Sequence, residues 1–316
     1  MKARYWLFPL VSILLFTTCE RTTDVGESSG DRSSCLPNTC KLPVSLLRIE
    51  YDELPFTRDR IMSFNFEYAD SNGIRLVEYN GTPEYNPVTT ALDALCALET
   101  YHFHGGQEYL DYAILAGNTF IARAHASSGA LFFPYEFSYQ LHRYSGDWMI
   151  EPWFSGMAQG LWLSVFAWLH HFTGDLHWFN IGEQVLASFL MIDGVLPTCF
   201  VSDEYYWIDE YPMDTLDTKT WTLNGMMYAM YGLYDWWWEF DSACAEDILC
   251  CALATMKKDI MKYRVEQDIS FYCLRHKSQI GKYHMIHIEQ LEYMCAYSGD
   301  VFFQQTADLF TQDYQE

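Results

Sequence analysis

The stretch Leu161-Trp162-Leu163-Ser164-Val165-Phe166-Ala167-Trp168 is apolar at nearly every position. It lies inside a longer segment, 155–173, whose length and pattern predict an α-helix. A helix that is hydrophobic on more than one face has to be buried on several sides. Inner and outer helices that alternate around a ring would provide such burial, so this stretch favours a toroid of helices over a simple bundle.

The rest of the chain supplies further amphipathic segments, each broken by Gly, Pro, Asp or Asn. They cover 88–101, 107–124, 176–192, 220–239, 242–264, 284–298 and 300–312. We therefore predict an all-α fold, an (α/α) toroid or barrel of about eight or more helices spanning residues 86–316. A short extended or β segment, 44–85, precedes it, and the longer loops are expected to carry function at one rim.

The N-terminus has the features of an export signal. Two basic residues precede an apolar run from Trp6 to Phe16, and Cys19 follows shortly after it, as in a bacterial lipoprotein whose cysteine carries the lipid. We expect a signal peptide at 1–19, a flexible linker at 20–43 and an exported protein, either membrane-anchored through Cys19 or periplasmic or extracellular. A simple cleaved signal and a short anchor are the alternatives. In an oxidising compartment Cys35 could pair with Cys40.

The formal net charge of −23 excludes a broad nucleic-acid-binding surface, because a phosphate backbone requires a compensating basic surface. Seven basic residues nevertheless crowd the stretch 257–282, so a local basic site on an acidic body is compatible with the sequence. No cysteine or histidine spacing is typical of zinc, and we predict no metal site.

Three patches combine ionisable and aromatic residues. Tyr205–Pro212 ends in a Pro that keeps the preceding Tyr extended. Phe271–His276 is either extended or a turn that brings Tyr272 towards Arg275. In Tyr283–Leu291, helical spacing places His284, His287 and Leu291 on one face, with Gln290 near His287. Each patch taken alone is equally compatible with ordinary packing.

Together these patches resemble the C-terminal domain of the D-glucuronyl C5-epimerase family. The resembling segments lie in order along the chain: 79–81, 85–89, Trp153–Gly160, Glu210–Pro212, Leu223–Tyr228, Gly232–Asp235, Tyr272–His276 and Tyr283–Leu291. The resemblance implies an (α/α) toroid that binds heparosan or a related uronic-acid polysaccharide and converts D-glucuronate units to L-iduronate, without a redox cofactor.

Carried over by motif, the resemblance implies that Glu210, Tyr211, Tyr272 and Tyr283 are catalytic. The residues expected to contact substrate, directly or from a supporting position, are Arg275, His284, His287, Gln290, Tyr206, Asn86 and Gln159. The chemistry explains these residue types. Inverting C5 requires a base on one face of the sugar, a proton donor on the other, and neutralisation of the neighbouring carboxylate, which Arg275 is suited to provide.

The chain departs from the family pattern at Cys273, where the family usually has Asp, and at Glu289, where it usually has Asn. The region before residue 80 is short, which leaves substrate length and a possible homodimer open. Two alternatives remain: a polysaccharide lyase, which would abstract the same C5 proton and then expel the group at C4, and a non-catalytic glycan-binding lipoprotein.

Overall fold

The computed structural model describes residues 35–36, 42–56, 59–191, 196–202, 205–213 and 219–314. Eight α-helices lie within these residues, each close to the segment predicted for it. They are α1 (Pro87–His104), α2 (Gln107–Arg123), α3 (Gly156–Thr173), α4 (Leu176–Ser188), α5 (Leu223–Phe240), α6 (Ala243–Asp259), α7 (Gly281–Ser298) and α8 (Val301–Asp313).

The helices form four hairpins, each made of an inner helix followed by an outer one. Helix α1 packs against α2, α3 against α4, α5 against α6 and α7 against α8, while the inner helices contact one another in the order α1, α3, α5, α7. Burial agrees with this order, because α3 is buried throughout from Gly156 to Leu169 and α5 from Leu223 to Trp237 except at Tyr228. The predicted all-α architecture of the (α/α) toroid type is confirmed.

Glycines allow α3 and α5 to approach each other to backbone contact. A Cβ atom at Gly232 of α5 would overlap the carbonyl oxygen of Gly160 in α3, and one at Gly160 would overlap the backbone of Ala229. Two helices whose axes come this close bury their facing surfaces completely, which is the burial that the apolar stretch of α3 requires.

Short antiparallel strand pairs connect the helices. They are β1 (Val77–Tyr79) with β2 (Thr82–Glu84), β3 (His125–Ser127) with β4 (Ala130–Phe132), β5 (Pro134–Tyr135) with β8 (Trp153–Phe154), β6 (Tyr139–Gln140) with β7 (Trp148–Met149), and β9 (Cys199–Ser202) with β10 (Tyr205–Ile208). The first pair falls in the segment predicted to be extended. The strands between α2 and α3 were not predicted, because two or three residues are too few for an alternating pattern to emerge.

Residues 42–56 run along the helices as an extended strap that ends in a 3-10 turn. The backbone N–H of Leu47 donates to the carbonyl of Tyr297 at 2.7 Å, and its carbonyl accepts from the Tyr234 hydroxyl at 2.8 Å. The same hydroxyl accepts the N–H of Ile49 at 3.0 Å, and the Trp238 indole donates to the Ile49 carbonyl at 2.9 Å. The strap is thus fixed to α5 and α7.

The predicted signal segment with Cys19, and most of the predicted linker, lie outside the described residues. In the part that is described, none of the helices has the length and apolar character needed to cross a membrane. Cys40 also lies outside, so its pairing with Cys35 stays a prediction. The thiol of Cys35 lies 3.4 Å from the carbonyl oxygen of Cys244 in α6.

Candidate active site

The N-terminal ends of all four inner helices line one cavity of about 330 Å³. Helix N-termini present unpaired backbone N–H groups and a partial positive charge, so their convergence favours an anionic ligand. The aromatic part of the wall comes largely from the strands and the loops beside them. Its members are Tyr79, Tyr135, Phe137, Tyr139, Trp153, Tyr211, Tyr228 and Tyr283.

Among the described residues that line this cavity, Glu210 is the one with a carboxylate side chain. It follows β10 and is only 7% exposed. Gly225 of α5 makes room for it, since a Cβ atom there would overlap its side chain. Burial raises the pKa of Glu210 to about 7, although hydrogen bonds from Tyr211 and Tyr272 act in the opposite direction. A carboxyl group with this pKa both accepts and releases a proton near neutral pH.

Three tyrosines surround this carboxyl group. The Tyr272 hydroxyl lies 3.4 and 3.3 Å from the two carboxylate oxygens of Glu210, and its ring centroid lies 4.4 Å from that of Tyr283. Burial raises the pKa of Tyr283 to about 12 and those of Tyr211 and Tyr272 well above 10. The structure therefore brings the four predicted catalytic residues together, with Tyr272 packed behind the other three.

The backbone segment that carries Tyr272 is anchored to α7. The N–H of Ser270 donates to Nδ1 of His284 at 2.9 Å, and Nε2 of His284 donates to the Phe310 carbonyl at 3.0 Å. The Ser270 hydroxyl and Nδ1 of His287 are 2.8 Å apart. Both histidines are buried on one face of α7, as the spacing predicted, and they support the segment from outside the cavity wall.

Arg275 lies in the turn that follows Tyr272, which is one of the two conformations that the sequence allowed. Its Nε and Nη2 donate to the two carboxylate oxygens of Asp147 at 2.6 and 2.8 Å. This pairing holds the pKa of Asp147 well below its usual range. Arg275 does not line the cavity in this structure, whereas Lys282 does. Its contact with a substrate carboxylate stays a prediction.

Asn86 is the predicted substrate-contact residue that does line the cavity. Its side-chain oxygen accepts the N–H of Thr89 at 2.9 Å and so caps α1. Its amide donates to the Tyr79 hydroxyl at 2.6 Å, which links the start of α1 to β1. One side chain therefore fixes both the helix end and an aromatic wall of the cavity.

The remaining predicted contact residues are buried away from the cavity wall and hold the scaffold together. Gln159 of α3 donates to the carbonyl of Leu131 in β4 at 2.7 Å, and the Tyr206 hydroxyl donates to the carbonyl of Phe189 after α4 at 2.6 Å. Gln290 of α7 donates to a backbone carbonyl at the start of α5 at 3.1 Å. Contact between these three side chains and substrate stays a prediction.

Several residues of the cavity wall were not among the site residues predicted from the sequence. Tyr79 and Trp153 lie inside the resembling segments, so a residue-by-residue reading of those segments would have found them. Lys282 directly precedes Tyr283, and the α7 helix starts before it, earlier than the predicted start at residue 284. The sequence does not indicate that Tyr139 lies in the cavity wall, because its position there depends on a two-residue strand.

Potential metal ligands also meet near this site. Among the described residues, His142, Cys273 and His276 form a group whose ligand atoms all lie within 4.8 Å of one another. Burial and the neighbouring His276 lower the pKa of His142 to about 4, so its imidazole is neutral at physiological pH. Neutral imidazole and thiolate are the ligand types that zinc prefers.

Several solved structures resemble this chain, among them the following two. One is a family 76 glycoside hydrolase from a bovine Bacteroides thetaiotaomicron strain, with a TM-score of 0.40 and 12% identity over 56% of this chain and 36% of that one. The other is an unsaturated glucuronyl hydrolase from Streptococcus agalactiae, with a TM-score of 0.49 and 10% identity over 73% of this chain and 58% of that one. No curated protein sequence matches the chain significantly.

The family model described as D-glucuronyl C5-epimerase C-terminus matches residues 127–312, which is well over half of the chain. The matched region runs from the strands after α2 to the end of α8. It includes Glu210, Tyr211, Tyr272 and Tyr283, the residues that the structure gathers at the cavity. The chain therefore belongs to the D-glucuronyl C5-epimerase family.

Proposed function

We propose that this protein inverts C5 of D-glucuronate residues to L-iduronate in a heparosan-like glycosaminoglycan or a related uronic-acid polysaccharide. The observation that carries the proposal is the pairing of two proton-transfer groups on one cavity. Glu210 and Tyr283 both line it, and Tyr272 contacts both of them. An epimerase needs this combination, because the proton leaves one face of the sugar and returns to the other.

The reaction proceeds by breaking the C5–H bond and forming a new one. One of the two groups takes the proton, and the electron pair passes into the adjacent carboxylate as an enolate. The other group then delivers a proton to the opposite face of C5. Glu210 suits either role because its pKa is about 7. Tyr283, with a pKa of about 12, is a donor at neutral pH and becomes a base when the enolate has taken its proton.

The enolate carries additional negative charge beside the cavity wall. Lys282 and the N-terminal ends of the inner helices face this cavity, and both favour negative charge there. The aromatic rings suit stacking against sugar faces. The charge around the cavity therefore favours an anionic sugar. The negative net charge of the whole chain does not oppose this, because the charge at the cavity differs from the net charge.

The proposal is tested by incubating the full chain in deuterated water with heparosan and with other uronic-acid polymers. NMR follows deuterium at C5 and iduronate content, and chain length is measured in parallel. Deuterium uptake and inversion without shortening are the expected result. An unsaturated, ultraviolet-absorbing product would identify a lyase, and binding without exchange on any polymer would identify a glycan-binding protein.

We also propose that the chain is exported and held at a membrane by a lipid on Cys19, and that it acts as a monomer or a homodimer outside the cytoplasm. The support is the signal-like segment that ends at Cys19. Metabolic labelling with a palmitate analogue tests it. Label should enter the wild type and be absent from Cys19→Ala, whereas equal labelling of both would rule out lipid at this cysteine.

A further inference from the structure

Three potential metal-ligating atoms converge next to Tyr272. The sulfur of Cys273 lies 3.5 Å from Nδ1 of His142 and 3.6 Å from Nδ1 of His276, and the two Nδ1 atoms are 2.8 Å apart. We propose that His142, Cys273 and His276 bind a zinc ion. No sequence spacing predicted this site, because His142 lies 131 positions before Cys273.

The distances fit tetrahedral coordination. Zinc bonds of about 2.3 Å to sulfur and about 2.0–2.1 Å to nitrogen place a sulfur and a nitrogen ligand about 3.6 Å apart, and two nitrogen ligands about 3.3 Å apart. Both sulfur–nitrogen separations already agree with these values. The two nitrogens need to move apart by about 0.5 Å, which small rotations of the imidazole rings accomplish.

The outer nitrogen of His276 is held by a carboxylate. Its Nε2 lies 2.7 Å from Oδ2 of Asp147, so Nε2 carries the proton and Nδ1 presents its lone pair towards Cys273. Arg275 fixes the same carboxylate through two hydrogen bonds. A carboxylate that orients a histidine in this way is a regular partner of zinc-bound imidazole.

The site is enclosed. Cys273 is fully buried, and the side chain of His276 is 4% exposed. Without a metal, the 2.8 Å separation of the two facing Nδ1 atoms is that of a hydrogen bond, in which one of the two donates. Zinc would replace this hydrogen bond with bonds to two neutral imidazoles and one thiolate, releasing the thiol proton to solvent and leaving the second ring nitrogen of each imidazole protonated. A water molecule would complete the coordination. Soft sulfur and imidazole ligands favour zinc over magnesium or calcium.

A metal here would fix the position of Tyr272. His142 belongs to the loop between β6 and β7, and its ring packs edge-on against Tyr272 and Tyr211, with centroids 5.0 and 5.5 Å away. Cys273 directly follows Tyr272. Zinc would therefore tie this loop to the turn beside the candidate catalytic residues, and the proposal does not depend on which reaction they perform.

The first test measures metal on the full chain, purified under reducing conditions without chelator. Elemental analysis should find about one zinc per chain, and cobalt substitution should give a thiolate-to-cobalt charge-transfer band. Cys273→Ser should lose both. The matched control is Cys244→Ser, since Cys244 and Cys35 are neighbouring thiols outside the proposed zinc site. A band that persists in Cys273→Ser, or that disappears in Cys244→Ser instead, would overturn the proposal.

The second test measures stability. Removing zinc with a chelator should lower the midpoint of thermal unfolding of the wild type and leave His142→Gln unchanged. Asp147→Asn should fold and bind zinc about 10–100-fold more weakly, because it loses the charge that orients His276. Equal chelator effects on wild type and His142→Gln, or a wild type without zinc or cobalt binding, would show that the cluster is only a hydrogen-bonded pair of histidines beside a thiol.

Discussion

The carboxyl group of Glu210 is enclosed by tyrosine side chains and the backbone of α5, and this environment determines its proton affinity. Desolvation disfavours the charged form more than the hydrogen bonds from Tyr211 and Tyr272 favour it. The pKa therefore rises from 4.5 to about 7. The residue is poised to exchange a proton at neutral pH, which is the property that the proposed reaction needs.

This pKa predicts a pH dependence of activity. When Glu210 acts as the base, kcat/KM should rise with pH and level off above about 7. Glu210→Gln should lower kcat by at least about 100-fold and remove this rising limb. Steady-state rates measured between pH 5 and 9 check the prediction. Glu108→Gln, an exposed residue of the outer helix α2, is the control and should retain the wild-type profile.

The same pKa predicts a pH dependence of stability. Because the folded state binds the proton of Glu210 more tightly than the unfolded state, its contribution is full below pH 4.5 and is lost as the pH rises through about 7. This loss amounts to up to about 3 kcal/mol. Glu210→Gln should therefore raise the free energy of unfolding relative to wild type more at pH 8 than at pH 5. Denaturant unfolding at both pH values measures this, and an equal effect at the two would contradict the assigned pKa.

At the scale of elements, the contact between α3 and α5 sets the geometry of the cavity, since the N-terminal ends of both helices line it. The long apolar pattern of these helices predicted their existence and their burial. It did not predict their separation, which depends on Gly160 and Gly232 facing each other across the interface. Such a pairing of residues 72 positions apart has no local sequence signal.

Gly232→Ala should therefore separate the two helices. Its Cβ would overlap the carbonyl of Gly160, and overpacking of this kind costs about 1–3 kcal/mol. Gly281→Ala is the control, because Gly281 begins α7 and has no atom within 4 Å of an added Cβ. Thermal unfolding of both variants checks the prediction. A Gly232→Ala protein as stable as the control would show that α3 and α5 are not in backbone contact.

At the scale of the whole molecule, residues 42–56 form part of the folded body. Leu46, Leu54 and Phe56 are buried, and each buried side chain of this size contributes about 1.5–3 kcal/mol. The sequence indicated only a short extended segment here, because the hydrogen-bond partners of the strap are distant in sequence. They lie 187 and 189 positions away on α5, and Tyr297 of α7 lies 250 positions after Leu47. The strap closes over Tyr234, whose hydroxyl bonds both Leu47 and Ile49.

A chain that begins at residue 60 should consequently be several kcal/mol less stable than one that begins at residue 34. Tyr234→Phe should give a smaller loss of about 1–2 kcal/mol, because it removes two hydrogen bonds and keeps the ring. Circular dichroism during thermal unfolding measures all three proteins. Equal midpoints for the two chain lengths would show that the strap is not part of the fold.

The candidate site was partly predictable from sequence. The segments that resemble the family contain Glu210, Tyr211, Tyr272 and Tyr283. In the structure the three tyrosines lie around the carboxyl group of Glu210. The position of Arg275 was not predictable. Its partner Asp147 lies 128 positions away in a loop between two-residue strands. Neither helical periodicity nor local motifs contain information about such a contact.

In the proposed reaction, Glu210 and Tyr283 exchange protons with C5 from opposite faces of the sugar. The most direct test follows deuterium uptake at C5 in two polymers, one rich in glucuronate and one rich in iduronate, with wild type, Glu210→Gln and Tyr283→Phe. The wild type should exchange and invert both polymers. Each variant should lose inversion, because one of the two proton-transfer groups is missing. Exchange left in Glu210→Gln should occur on one of the two polymers, and exchange left in Tyr283→Phe should occur on the other. Inversion at the wild-type rate in either variant would contradict the account.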